Sequence, residues 1–291
     1  MSEAQKQVRQ QRIIVGMRST SEVDRAMAAA AVLASVVEAE IVGLLVQEPS
    51  MLQLAEFPFA RVLDFDRPSP RKVSPALMQD AMARTAAVCK RALSAHASKA
   101  RVHWSFSSEK GEFSARLKTL AGSGDFVVLP GQTHGFGTRN LIDDLRALPE
   151  SVAGVVVAAL HYSVQGAGPV VAIDDGDEAG AQTVVLAARM AAISGQPLHL
   201  FVISGSQAEA ARIEARAAAM TGPGQTVLMH RYTQGSPQSL AAGLSHLSPS
   251  FVVGDLNGEP FGDDSSAIAL FRAARAPVLL LRIEQLEQIR Q

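Results

Sequence analysis

The chain has 291 residues, 47% of them hydrophobic and only 5% aromatic, so its core must be mostly aliphatic and alanine-rich. That length suits two domains of about 100–150 residues each. A formal charge of −1 sets up no overall field for nucleic acid or an anionic membrane, and one cysteine, Cys89, excludes an intramolecular disulfide.

Short apolar runs bounded by polar, Gly or Pro residues predict strands. In chain order they are Ile13–Met17, Ile41–Val46, Val102–Phe106, Phe126–Leu129 and Val155–Leu160. Five more follow at Val170–Ile173, Leu198–Ile203, Thr226–Met229, Phe251–Val253 and Val278–Leu281. Alanine-rich stretches of helical spacing lie between most of them, at Glu22–Val37, Pro75–Ala97, Gly180–Ile193, Gln207–Met220 and Ser265–Ala274. Thr20 or Ser21 is placed to cap the first helix, and Ser206 the matching helix of the second half. Cys89 falls in the second helix, where a buried structural thiol is expected. Alternation of strand and helix predicts parallel sheets with right-handed crossovers. No run reaches the length of a membrane span, and Met1 to Arg12 carries no apolar signal-peptide core. The expected location is cytoplasmic.

The ten strands form two sets of five that repeat. Ile13–Met17 aligns with Val170–Asp174, and Glu40–Val46 with Pro197–Ile203. Val102 then aligns with Val227, Phe126-Val127-Val128 with Phe251-Val252-Val253, and Phe136-Gly137 with Phe261-Gly262. The offset shortens between the second and third strands, which places an insertion in the first half, between Glu48 and about Asp80. Tyr162 to Gly168 is the expected linker, short enough to keep the domains, 12–161 and 169–283, in contact.

This element order and these strand-end sequences resemble the universal stress protein family, twice, from Arg12 to Arg282. The resemblance implies two tandem α/β domains, each a doubly wound parallel five-stranded sheet of the adenine-nucleotide-hydrolase-like kind. It implies that the last strands, Val155–Leu160 and Val278–Leu281, pair in an internal pseudo-dimer, which would also cover their edges. It further implies an Asp followed by small residues after the first strand, near adenine and ribose. A phosphate loop, G-x-x-G-x9-G-[S/T], would follow the fourth strand.

Each half keeps a different part of that pattern. In the first, Met17 stands in the Asp position, while Gly131, Gly135, Gly137 and Thr138, with His134 and Arg139, make an anion-tolerant loop. The later Gly-Ser step is missing there, and the loop also reads as a tight turn with Asn140 capping a helix. The second half keeps Asp174 and Gly176, then Gly254, Gly262, Ser265 and Ser266. However, Asp255, Glu259, Asp263 and Asp264 crowd the phosphate position, where each close like-charge pair costs on the order of a kcal/mol. One adenine-nucleotide site (ATP or AMP) is expected at most, with a slight preference for the second half. No histidine pair has metal-ligand spacing, no Ser sits in a G-x-S-x-G elbow, and no P-loop lysine is present. No catalytic residue and no metal site are assigned, so the chain is not expected to be an enzyme beyond slow ATP turnover.

The insertion is apolar for a loop, with Leu52, Leu54, Phe57, Phe59, Leu63 and Phe65, followed by the basic, proline-rich Arg67–Lys72. It reads either as a flap over the first domain's crevice or as a docking surface for a partner protein or a second copy of the chain. The resulting expectation is a non-catalytic regulatory or stress-related binding protein that acts through protein partners or self-association and forms a homo-oligomer; the alternative is an adenine-nucleotide sensor.

Overall fold

Strands flanked by helices on both faces must be apolar on both faces, and this is what the runs of Val, Ile and Leu supply. The computed structural model describes residues 11–158 and 168–282, apart from 22, 50–52, 54–56, 58, 60, 65–66, 132–140 and 223. Leu52, Leu54, Phe65, His134, Gly135, Gly137, Thr138, Arg139, Asn140 and Tyr162 to Ala167 of the expected linker therefore lie outside the described residues.

The first half contains β1 (Arg12–Met17), β2 (Glu40–Gln47), β3 (Arg61–Asp64), β4 (Arg67–Lys72), β5 (Trp104–Lys110), β6 (Phe126–Pro130) and β7 (Gly154–Ala158). Its helices are α1 (Val23–Val37), α2 (Pro75–Ala100), α3 (Phe113–Leu120) and α4 (Leu141–Ala147). The second half contains β8 (Val170–Asp174), β9 (Leu198–Ser204), β10 (Val227–Thr233), β11 (Phe251–Asp255) and β12 (Val278–Leu281). Its helices are α5 (Glu178–Ser194), α6 (Gln207–Met220), α7 (Pro237–Leu247) and α8 (Asp264–Ala274).

Ten strands form one sheet, in the order β10-β9-β8-β11-β12-β7-β6-β1-β2-β5. Within each half of this ten-stranded sheet every pairing is parallel, and strand order reverses between β1 and β6 and between β8 and β11. The halves join through an antiparallel pairing of β7 with β12, with Val278 opposite Val157 and Leu281 opposite Gly154. This is the expected internal pseudo-dimer. A Cβ on Gly154 would lie 2.9 Å from the Leu280 carbonyl oxygen and 3.0 Å from the Phe126 ring, so the seam requires glycine there.

Two buried layers sandwich the sheet, and each runs through both halves. One is capped by α1, α2, α5 and α6, through residues such as Leu33, Leu93, Val184 and Ile213. The other is capped by α3, α4, α7 and α8, through Phe113, Leu145, Leu244 and Leu270. Cys89 is fully buried, and burial pushes its thiol up to about 11, as a structural cysteine requires. Ser206 caps α6 by accepting the Glu209 N–H at 3.2 Å.

Two expectations need correction. The third strands align differently from the sequence offset: Ile41 pairs with Trp104 as Leu198 pairs with Val227, so Trp104, not Val102, is the counterpart of Val227. A two-residue slip keeps every side chain on its own face, so apolar alternation could not reveal it. The insertion is also not confined to the segment before Asp80. It comprises the β3–β4 hairpin and a longer helix, since α2 has 26 residues against 14 in α6. Pro68 and Pro70 disguise β4 as a loop. An isolated two-stranded hairpin has only edge strands, where proline is tolerated.

Candidate functional site

Ligands of doubly wound sheets sit beyond the C-terminal strand ends, where strand order reverses. In the second half that place lies between β8 and β11. Asp174 ends β8 and is wholly buried. Gly176, at φ +95°, turns its N–H back onto Asp174 Oδ1 at 2.9 Å. Arg216 of α6 then closes the site. Its Nη2 donates to Oδ1 and Oδ2 of Asp174 at 2.7 and 3.0 Å, and its Nη1 to the carbonyl oxygens of Gly176 and Asp177 at 3.2 and 2.7 Å. Helix α5 starts against this pair. A Cβ on Gly180 would stand 2.0 Å from Asp174 Oδ1, so only glycine fits. Burial pushes the Asp174 carboxyl up, opposed by the Gly176 N–H and Arg216.

Two more carboxylates lie beside it. Asp175 Oδ2 accepts the Glu259 N–H at 2.9 Å, and burial, reinforced by Asp177, pushes its carboxyl up to about 6. Burial likewise raises Asp255, opposed by backbone N–H groups of residues 256–258. Gly258 is wedged between them: a Cβ would lie 2.8 Å from Asp175 Oδ2 and 3.0 Å from Asp255 Oδ2. At the start of α8, Asp263 accepts the Ser266 N–H at 2.8 Å and the Ser265 hydroxyl at 2.7 Å. These bonds pull its carboxyl down to about 2. Glu259 accepts the Gly235 N–H. A cavity of about 440 Å³ remains between the Gly235–Pro237 turn and the loop from Asn257 to Asp263, with Ser266 at its side.

Asp175 provides a direct test of this crowding. Its folded-state carboxyl titrates above the unfolded value, so its charge costs stability as pH rises from about 4 to about 6. Asp175→Asn keeps an acceptor for the Glu259 N–H and removes the charge. The variant is expected to be more stable at pH 7 by roughly 1 kcal/mol, a figure reduced for partial exposure. Below about pH 4 both forms are neutral and the gain should vanish. Urea melts at the two pH values check this.

The residues expected in the second-half site are thus separated in role. Asp174 and Gly176 form the buried pair with Arg216. Gly262 and Ser266 line the cavity, and Ser265 donates to Asp263. Gly254 lies under Phe261, whose ring would be 2.5 Å from an added Cβ, so its smallness serves packing. Arg216 has no signal in the sequence beyond its place beside the apolar stripe Ala210–Ile213–Ala217 of α6.

The first half inverts the arrangement. Met17 is buried in the Asp position. The next residue, Arg18, lies 3.8 Å over the Phe113 ring and donates through Nη2 to Oδ1 and Oδ2 of Asp144 at 3.0 and 2.8 Å. Asp144, on α4, is buried and also accepts the Ser114 hydroxyl at 3.3 Å. Here the cation comes from the strand end and the carboxylate from a helix. Gly131 follows β6 and is half-buried. In the insertion, Phe57 and Phe59 are 47% and 77% exposed and stack on each other with centroids 5.5 Å apart, so these two rings do not fold into the first half's core. No helix among the described residues is long and apolar enough to cross a membrane.

The fold and crevice define a tandem doubly wound α/β protein whose strand-end site in the second half is filled by its own side chains. No family model and no curated protein sequence matches the chain. Solved structures do. It is similar to a universal stress protein from Archaeoglobus fulgidus DSM 4304, with TM-score 0.60 and 11% identity over 93% of this chain and 98% of that one. A functionally unknown protein from Pseudomonas aeruginosa PAO1 gives TM-score 0.55 and 13% identity over 97% and 96%. The cytoplasmic domain of a prokaryotic cation chloride cotransporter gives 0.54 and 12% over 93% and 95%. The chain has the fold of the tandem universal stress proteins.

Proposed function

We propose that the chain is a non-catalytic, universal-stress-protein-like regulatory protein of the stress response, acting in the cytoplasm through protein partners or a second copy of itself. The observation that carries this reading is the Arg216–Asp174 pair. The carboxylate that the family resemblance assigns to adenosine is buried and already holds a guanidinium through both oxygens. Asp263 in turn occupies the N-terminus of α8, where a phosphate would sit. The exposed Phe57–Phe59 pair supports a docking role for the insertion.

A second reading, an adenine-nucleotide sensor, rests on the cavity beside Gly262 and Ser266. Calorimetry of the full chain with ATP and magnesium separates the two. No saturable heat at millimolar ATP is expected. Saturable binding that Asp174→Ala abolishes would establish the sensor instead. Phe57→Ser combined with Phe59→Ser is expected to leave melting unchanged and to remove self-association or partner binding in sizing experiments.

A further inference from the structure

Strands β9 and β10 are the last two at one end of the sheet, and among the described residues β10 is bonded on one side only. His199 of β9 and His230 of β10 share the sheet face that carries Phe201 and Tyr232 and is covered by α7. His199 Nδ1 and His230 Nε2 are 2.9 Å apart, and the two rings are within 15° of parallel with centroids 5.0 Å apart. Nitrogens this close are in hydrogen-bond contact, which requires a hydrogen on one and a lone pair on the other. The dyad can therefore hold one added proton on an outer nitrogen. A second leaves N–H facing N–H between two cations.

Among the described residues of α7, β9 and β10, no countercharge faces the pair. α7 (Pro-Gln-Ser-Leu-Ala-Ala-Gly-Leu-Ser-His-Leu) has no acid, and its one titratable residue is His246 in the last turn. β9 has no other titratable residue. On β10, Tyr232 is a neutral phenol raised by burial, packed against Phe201. Arg231 alternates to the other face, where it pairs with Glu214 of α6 at 2.5 and 2.7 Å. Burial lowers both imidazoles, and His230 lowers His199 further.

β10 leads straight into one wall of the cavity. Gln234 N–H donates to the Ser204 carbonyl at 3.3 Å, Gly235 N–H donates to Glu259, and Gly235 and Pro237 line the space. We propose that the His199–His230 dyad is an acid-sensitive latch, in which the second proton releases β10 and α7 from β9 and opens the cavity at the Gly235–Pro237 turn. The sign follows from linkage. Both imidazoles titrate lower in the folded chain, so their contribution is complete above about pH 6.5 and is lost as pH falls toward the folded values. Asp175 has the opposite sign over much of the same range, so global melting mixes the two effects.

Hydrogen exchange on the full chain at about pH 7.5 and about pH 5, corrected for intrinsic exchange rates, reads the latch locally. Peptides from β10 and α7 should lose about tenfold more protection at acid pH than peptides from β8 and α5. His230→Gln, which keeps a hydrogen-bonding side chain without the charge, should remove that excess. An equal loss across the second half, or an excess that persists in the variant, would overturn the proposal. Should the variant not fold, an NMR titration of the wild-type imidazoles decides. Coupled titration of His199 and His230 below the ordinary imidazole value is expected, and independent titration at that value would refute the latch.

Discussion

Arg216→Met is expected to cost about 3 kcal/mol at pH 7, the range seen when one partner of a buried ion pair is removed, taken at its low end because the Arg216 side chain is 22% exposed. Methionine preserves much of the packing of the arginine stem, so the loss reports the charge. Asp174 would keep the Gly176 N–H and lose both guanidinium contacts. Its carboxyl, already raised by burial, would rise further. The stability deficit should then shrink as pH falls and Asp174 takes up a proton. Urea denaturation at pH 7 and at about pH 5 measures both effects, and Asp174→Asn in the Arg216→Met background should recover much of the loss. A cost within about 1 kcal/mol would mean that water reaches Asp174, as at an exposed pair, and would favour a crevice open to nucleotide.

Gly154→Val is expected to cost about 3 kcal/mol, at the upper end for overpacking. The added carbons meet the Leu280 carbonyl oxygen on one side and the buried Phe126 ring on the other. Neither yields easily: Leu280 belongs to the antiparallel ladder with β7, and Phe126 is packed within the sheet's core. The strain falls on the seam that makes ten strands one sheet. The variant is therefore expected to unfold in two separate transitions, with each half melting by itself, against a single transition expected for the parent. A single transition, shifted only slightly, would show that the layers above and below the sheet hold the halves together without the β7–β12 ladder.

The two effects differ in how visible their causes are in the chain. Gly154 begins an apolar strand, and its strand was readable because parallel strands buried on both faces leave continuous runs of Val, Ile and Leu. The same physics made the duplication visible, since Phe126-Val127-Val128 and Phe251-Val252-Val253 occupy equivalent central strands. Short amphipathic helices such as Phe113–Leu120 left little periodicity to read, and the prolines of Arg67–Lys72 concealed a strand. The acidic loop was legible as crowding. Its resolution was not: the chain turns its own N–H groups onto Asp255 and Asp263 and accepts raised carboxyls at Asp175 and Asp255.

The sequence by itself determined the ten strands, their division into two fives and the doubly wound class, because burial on two faces constrains every residue of a strand. It also determined the positions of Asp174 and the acidic loop, because these follow strand ends at fixed spacing. Only the tertiary structure decided what those carboxylates meet. Arg216 lies 42 residues from Asp174 and His230 lies 31 from His199, on separate elements in each case. A charged side chain of α6 gives no local sign of which strand end it will reach. Its partner is fixed by where α6 packs on the sheet, and the site also needs Gly180, whose missing side chain leaves room for the Asp174 carboxylate.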